Sequence, residues 1–158
     1  MADRILIPLD GSKFGEAALH SLEGQLKSLD PKVKPEVTLA QVVSPHYLHI
    51  NVEGGVVDVP DRSENIEEAK AKAEKYLEQA GEALRAGGVK VTDRVVVNDR
   101  SVSAAEIIIG LEKELGVDLV AMSTHGRRGI TRWAMGSVAE KVLKAGGVPV
   151  LMVRAQES

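Results

Sequence analysis

The chain has 158 residues, 44% of them hydrophobic and 27% charged, with a formal net charge of −3 and no cysteine. That length suits a single domain over residues 1–158 with enough core to fold alone. Disulfides, thiolate metal sites and thiol chemistry are excluded, and mild acidity leaves no protein-wide field for nucleic acid. Aromatic residues are only 3%, so stacking platforms for bases are scarce. No apolar run approaches the roughly 20 residues that span a bilayer. Met1-Ala2-Asp3-Arg4 runs into a strand pattern without a signal-peptide layout. Nucleic-acid and membrane partners are therefore set aside, and the cytoplasm is the expected location.

Ile5-Leu6-Ile7 reads as a first buried strand, broken by the turn residues of Pro8-Leu9-Asp10-Gly11-Ser12. Ser12 is placed to cap a helix over roughly 13–28, with Ala17, Ala18, Leu22 and Leu26 as its apolar stripe. Val37 to Val43 is the second strand, stopped by Ser44-Pro45. Residues 46–62 look irregular, with Gly54-Gly55 and Pro60 as punctuation. They read as an exposed insertion, with a lid or partner-binding role as the alternative. Asp61 or Ser63 would cap one long helix reaching Ala86, its acidic start suited to the helix dipole and Gly87-Gly88 its end.

Val89 to Val97 is the third strand. Ser103-Ala104-Ala105-Glu106 is a capping box for a helix to about Leu115, closed by Gly116. Val117 to Met122 is the fourth strand. A loop of glycines and arginines follows, and a fourth helix begins near Gly136-Ser137. Gly146-Gly147 ends that helix, and Val148-Pro149-Val150-Leu151-Met152-Val153 is the fifth strand. Alternating strands and helices predict an α/β fold: an open parallel sheet, doubly wound or nearly so, covered by helices on both faces. Pro149 puts the fifth strand at an edge or marks its start, and an open apolar edge would aggregate. Pairing with a second copy removes the hazard, which predicts a homodimer through Val148–Val153.

Ligands of such sheets bind beyond the carboxyl ends of the strands, where the chain order reverses. Two loops carry suitable chemistry there: residues 8–12 after the first strand, and residues 123–137 after the fourth. At Gly136-Ser137 the backbone N–H groups of Ser137, Val138 and Ala139 would start a helix and suit a phosphate. Ser137 with Glu140 also fits a plain capping box. Gly126, Gly129 and the arginines Arg127, Arg128 and Arg132 favour the anion, with Arg127 placed on the phosphate side. Asp10 is open to two roles: a turn residue bonding its own backbone, or a group for ribose, adenine or a metal ion. His125 is likewise open between a base, a phosphate contact and a hydrogen bond within its loop. The Walker phosphate loop, the dinucleotide glycine fingerprint and the hydrolase nucleophile elbow are all missing.

Ser123-Thr124-His125-Gly126, nine residues, then Gly136-Ser137 resembles the nucleotide-binding signature of the universal stress protein family. The resemblance extends over the whole chain, through Ile5 to Ser12, Asp118 to Met122, Gly136 to Leu143 and Val148 to Val153. It implies a Rossmann-like, five-stranded parallel sheet in the order 3-2-1-4-5, dimerisation through the last strand, and membership of a subgroup that binds ATP. Carried over by position, Pro8, Leu9 and Asp10 would line adenine and ribose, and Val42 would contact adenine. Met122, Ser123 and Gly126 would follow the ribose and phosphates, and Gly136, Ser137, Val138 and Ala139 would hold the phosphates, with Mg2+ or Mn2+ bridging them. Two positions depart from the signature: Ser123 replaces its first glycine, and Ala139 stands where a hydroxyl residue is common. The resulting expectation is an ATP-binding, stress-response regulatory protein with at most slow hydrolysis. A true ATPase or phosphotransferase using Asp10 or His125, and a nucleotide-free dimeric interaction module, are the competing readings.

Overall fold

The computed structural model describes residues 2–45, 47–61, 65–98, 102–124 and 135–155. Ile5, Leu6 and Ile7 alternate across a central strand, β1 (Arg4–Pro8), and all three are buried. A strand covered on both faces needs an unbroken apolar run of this kind. The first helix, α1 (Ala17–Lys27), starts four residues later than the sequence pattern predicts, with Glu16 at its N-cap and no side-chain cap. Ser12 does not cap it. Its hydroxyl donates to Asp10 Oδ1 (2.6 Å) and accepts from the Gly15 amide (3.1 Å), so residues 10–16 are spent on a separate turn.

β2 (Glu36–Val43) pairs in parallel with β1, Arg4 with Glu36 through Pro8 with Ala40. The stretch read as an irregular loop is instead an antiparallel hairpin, β3 (Tyr47–Val52) and β4 (Gly55–Pro60), turning at Glu53-Gly54. Alternation of aliphatic and polar residues on either side of that glycine is the signal for it. The long helix expected to reach Ala86 is interrupted at Gly81, giving α2 (Ile66–Ala80) and α3 (Glu82–Ala86). A Cβ at Gly81 would lie 2.8 Å from Arg85 Nη1 and 3.1 Å from Leu39 Cδ1, so close approach to β2 accounts for the glycine. Asn65 caps α2 by accepting from the Glu67 (3.1 Å) and Glu68 (3.4 Å) amides. Asp61 is therefore not the cap, and Ser63 lies outside the described residues.

The remaining elements follow the expected alternation: β5 (Lys90–Val97), α4 (Ala104–Leu115), β6 (Leu119–Ser123), α5 (Ser137–Ala145) and β7 (Val150–Val153). The capping box of α4 is formed as anticipated, and Gly116 ends the helix in the left-handed region at φ 58°. The main sheet runs β5-β2-β1-β6-β7, parallel throughout. Counting its strands alone, that is the order 3-2-1-4-5. Pro149 immediately precedes the edge strand β7, at the strand start where a missing N–H costs least.

One face of the sheet, with Ile5, Ile7, Val37, Leu39 and Ala121, packs on Leu19, Leu22, Leu77 and Leu84 of α1, α2 and α3. The other, with Leu6, Ala40, Val120 and Met122, packs on Ile108, Leu111 and Val142 of α4 and α5. The chain winds outward from β1 through β2 to β5, then returns to build β6 and β7 on the other side. β1 and β6 are therefore the adjacent strands whose following helices leave on opposite faces. A crevice opens at their carboxyl ends, as the topology of open α/β sheets requires.

Candidate functional site

The crevice floor is formed where β1 and β6 pair, Ile5 with Leu119 and Leu6 with Val120. From there the chain leaves β1 through Pro8, Leu9 and Asp10. The Leu9 amide donates to the Ala40 carbonyl (2.7 Å) and its side chain enters the α1-side core, only 5% exposed. Leu9 thus offers the crevice its backbone, while Pro8 is half-buried at the rim. Met122 is likewise buried in the α4–α5 core, and Val42 is half-buried against the same cluster near the end of β2.

Asp10 and Ser123 are joined by a hydrogen-bonded chain. Asp10 Oδ1 accepts from the Ser12 amide (2.9 Å) and from the Ser12 hydroxyl. The Ser12 hydroxyl accepts from the Gly15 amide, and the Gly15 carbonyl accepts from the buried Ser123 hydroxyl (2.8 Å). The same Ser123 oxygen accepts from the Ala18 amide (3.1 Å), in the first turn of α1. A Cβ on Gly15 would collide with Asp10 Oδ1, so the carboxylate lies directly over that glycine. Asp10 therefore performs the turn role foreseen for it. Ser123, the serine in place of a signature glycine, ties the tip of β6 to the entry of α1. Neither hydroxyl bond is visible in the local sequence, because the partners are 105 and 108 residues away.

The opposite wall is the start of α5. Thr124 donates its amide to Val153 (2.9 Å), and its carbonyl accepts the Gly136 amide (2.7 Å). The two ends of the loop carrying residues 125–134 are therefore held together at its base. Gly126 and Arg127, both expected at the phosphates, lie outside the described residues, as do His125, Arg128, Gly129 and Arg132. Gly136 is the N-cap of α5, and among the described residues no side chain caps the helix. This corrects the capping-box reading of Ser137. Ser137 is already the first helical residue, and its partner Glu140 pairs with Lys144 (2.6 Å), which holds that carboxyl below its usual pKa. The Glu140 amide makes the first intrahelical bond, to the Gly136 carbonyl (2.9 Å). Ahead of it stand the amides of Ser137, Val138 and Ala139, which an α-helix cannot satisfy internally and which carry its positive dipole end.

Gly136 itself is informative. Its φ is −57° and ψ 148°, values any residue adopts, and a Cβ there would meet Thr124 O at an ordinary 3.4 Å. The local fold thus does not demand a glycine. What its missing side chain leaves is a closer backbone approach to the first amides of α5. Gly15 and Gly146 differ: there an added Cβ would strike Asp10 or the Val142 carbonyl.

A link that sequence reasoning missed reaches the crevice from α2. Tyr76 donates its hydroxyl to Glu16 Oε1 (2.9 Å), just before α1, and burial first, then that carboxylate, push the phenol pKa well up. The tyrosine therefore stays a neutral donor and holds α2 to the rim turn. Among the described residues no three His, Cys, Asp or Glu side chains gather as a metal cage. A magnesium ion brought by phosphates would not need one, since such ions keep waters and take only one or two carboxylates.

The match to known proteins follows this geometry. The model of the universal stress protein family matches residues 1–154. The chain belongs to the universal stress protein family. Universal stress protein MJ0577 of Methanocaldococcus jannaschii is 30% identical in sequence, over 100% of this chain and 98% of that protein. The solved structure of MJ0577 superposes with a TM-score of 0.70, 24% identity, and 99% and 98% of the two chains covered. A universal stress protein of Archaeoglobus fulgidus in complex with dAMP superposes at 0.62, with 16% identity and 95% and 96% coverage. A universal stress protein in complex with cAMP superposes at 0.63, with 17% identity and 98% of each chain covered. At those identities the last two establish a shared fold. In this universal stress protein, no described helix is long and apolar enough to cross a membrane.

Proposed function

We propose that this universal stress protein binds an adenine nucleotide, ATP above all, in the crevice between the carboxyl ends of β1 and β6, and acts as a nucleotide-dependent regulator with at most slow hydrolysis. The observation that carries the reading is the start of α5: a helix N-terminus with no side-chain cap among the described residues, entered through a glycine that the local backbone does not require. Phosphates are the common ligands of such an end. The fold relatives bound to dAMP and cAMP support an adenine nucleotide as the class. Pro8, the Leu9 backbone and Val42 stand where a base and sugar would lie, and the amides of Ser137, Val138 and Ala139 where phosphates would.

Slow turnover follows from how the described acids near the crevice are engaged: Glu16 accepts from Tyr76. Asp10 is engaged by Ser12, and so is poorly placed to activate water. The same reading includes a homodimer through β7, an edge strand whose neighbour is β6 and whose Leu151 is exposed. The test is mass spectrometry of small molecules released from freshly purified protein, followed by calorimetry with ATP, AMP and cAMP. A bound adenine nucleotide and tightest binding of ATP with Mg2+ are expected. Equal affinity for AMP and ATP would remove the triphosphate from the assignment, and turnover above about 1 s⁻¹ would make the protein an enzyme.

A further inference from the structure

One wall of the crevice is not fixed by the strands alone. Between β1 and α1 the chain turns over residues 10–16, and α1 opens at Glu16 without a side-chain cap. Inside that turn Asp10 accepts from the Ser12 amide, and the Ser12 hydroxyl accepts from the Gly15 amide. Two hydroxyl groups reach it from distant elements. Ser123 of β6 donates to the Gly15 carbonyl and accepts from the Ala18 amide. Tyr76 of α2 donates to the carboxylate of Glu16, the residue that follows Gly15. The first tie comes from the sheet, and the second from a helix whose Leu77 is fully buried. The Tyr76 ring packs against the same core cluster as Leu77. Packing thus holds the ring, and the hydroxyl is the polar end that acts at the rim.

We infer that Tyr76 is a positioning residue of the crevice: its hydroxyl, through Glu16, holds the turn that carries Asp10 for the base and sugar half of the nucleotide. The role rests on the crevice reading above and adds to it a residue from outside the two loops. Three observations support it. The Glu16 side chain is 21% exposed, and its two oxygens divide their partners. Oε1 accepts from Tyr76 at 2.9 Å, and Oε2 meets His20 Nε2 at 3.2 Å. His20 belongs to α1 itself and is 60% exposed, so that pair contributes little and ties the turn to no other element. Second, the phenol stays protonated: burial first, then Glu16, then Asp10 push its pKa up. Asp10 therefore acts on the same hydroxyl, and two carboxylates share one rim. Like charges repel at short range, and the Tyr76 donor offsets that for Glu16. Third, a Cβ on Gly15 would strike Asp10 Oδ1, so movement of the 15–16 peptide is passed to Asp10. Without the hydroxyl, Glu16 turns to water, the peptide loosens and Asp10 loses its seat. The start of α5, tied to the Thr124 carbonyl, takes no part in this chain of contacts.

Tyr76→Phe keeps the ring and removes the hydroxyl, and two measurements on the full chain read the result. In hydrogen exchange followed by NMR, the Ser12, Gly15 and Ala18 amides should exchange at least about fivefold faster than in the wild type, with the Leu6 and Val120 amides of the sheet unchanged. In calorimetry, adenosine, AMP and ATP should all weaken by one common factor, roughly five- to tenfold, the scale of a lost hydrogen bond to a carboxylate. Gly136→Val, by contrast, should weaken only the ligands that carry phosphate. Glu16→Gln retains an acceptor oxygen and should keep wild-type exchange and affinity. Glu16→Ala should match Tyr76→Phe, and the two together should be no worse than either alone. His20→Gln should change neither measurement. Wild-type exchange and affinity in Tyr76→Phe overturn the inference. So do a loss in Glu16→Gln as large as in Glu16→Ala, additive losses in the double variant, or a loss confined to ATP. A wild type that binds no adenine nucleotide overturns the crevice reading and this role with it, whereas firm wild-type binding that Tyr76→Phe leaves unchanged overturns this role alone.

Discussion

Two helix starts in this protein carry the same sequence pattern and are built differently. At α4, Ser103 accepts from the Glu106 amide (3.3 Å), and Glu106 accepts from the Ser103 amide (2.7 Å), a closed capping box. Lys141 of α5 leans over it, donating to the Ser103 hydroxyl (3.1 Å). At α5, Ser137 and Glu140 have the same spacing, but the helix begins one residue earlier. Ser137 becomes a helical residue, and the cap position falls to Gly136. One end is satisfied by its own box, and the other has no side-chain cap among the described residues. The lesson is that a Ser-x-x-Glu motif marks a helix start, while the residue before it, and what holds that residue, decide whether the end is closed or available to a ligand.

The largest expected effect comes from closing the open end. Gly136→Val fits the backbone angles and has room for its Cβ, so the fold should survive. Its branched side chain stands in front of the outward amides, and ATP affinity measured by calorimetry should fall by at least about a hundredfold, some 2.7 kcal/mol. Unchanged affinity would mean that the phosphates lie elsewhere. Next in size is the closed end. Ser103→Ala removes a true cap and should lower stability in urea unfolding by about 1 kcal/mol with no effect on nucleotide affinity. Ser137→Ala removes no cap, and its stability should stay within about 0.5 kcal/mol of wild type. Equal losses at the two serines would erase the distinction.

The smallest effect is one of pH. The Ser103 amide and hydroxyl, then Lys141, hold the Glu106 carboxyl below its ordinary range. A lowered folded-state pKa stabilises above the unfolded value, about 4.3, and that contribution is lost as pH falls through the folded value. Glu106→Gln should therefore lower the melting temperature at pH 7, with the difference from wild type closing below about pH 4. A gap that persists at low pH would show that charge is not what the box uses.

Most of the scaffold was legible from residues close together in the chain. Ile5-Leu6-Ile7, the box at Ser103 and the stop at Gly116 are decided within a few residues by burial on both faces, by side-chain reach and by a left-handed backbone. The two loops followed from strand alternation, and the family resemblance supplied the strand order that brings them to one crevice. The hairpin at 47–60 was obscured because its alternation is short and its apolar face has no core to meet.

By itself, then, the sequence determined an alternating α/β chain and two loops of suitable chemistry after its first and fourth strands, while the order that makes those strands neighbours came with the family resemblance. Tertiary structure decided how those loops are used. It turned the Ser123 hydroxyl inward to Gly15 and Ala18, placed Asp10 over Gly15, and set the α5 boundary at Gly136 through the Thr124 carbonyl. Each choice depends on a partner distant in sequence or on the exact residue at which a helix begins. Local propensity is blind to the first and uncertain by a residue or two about the second.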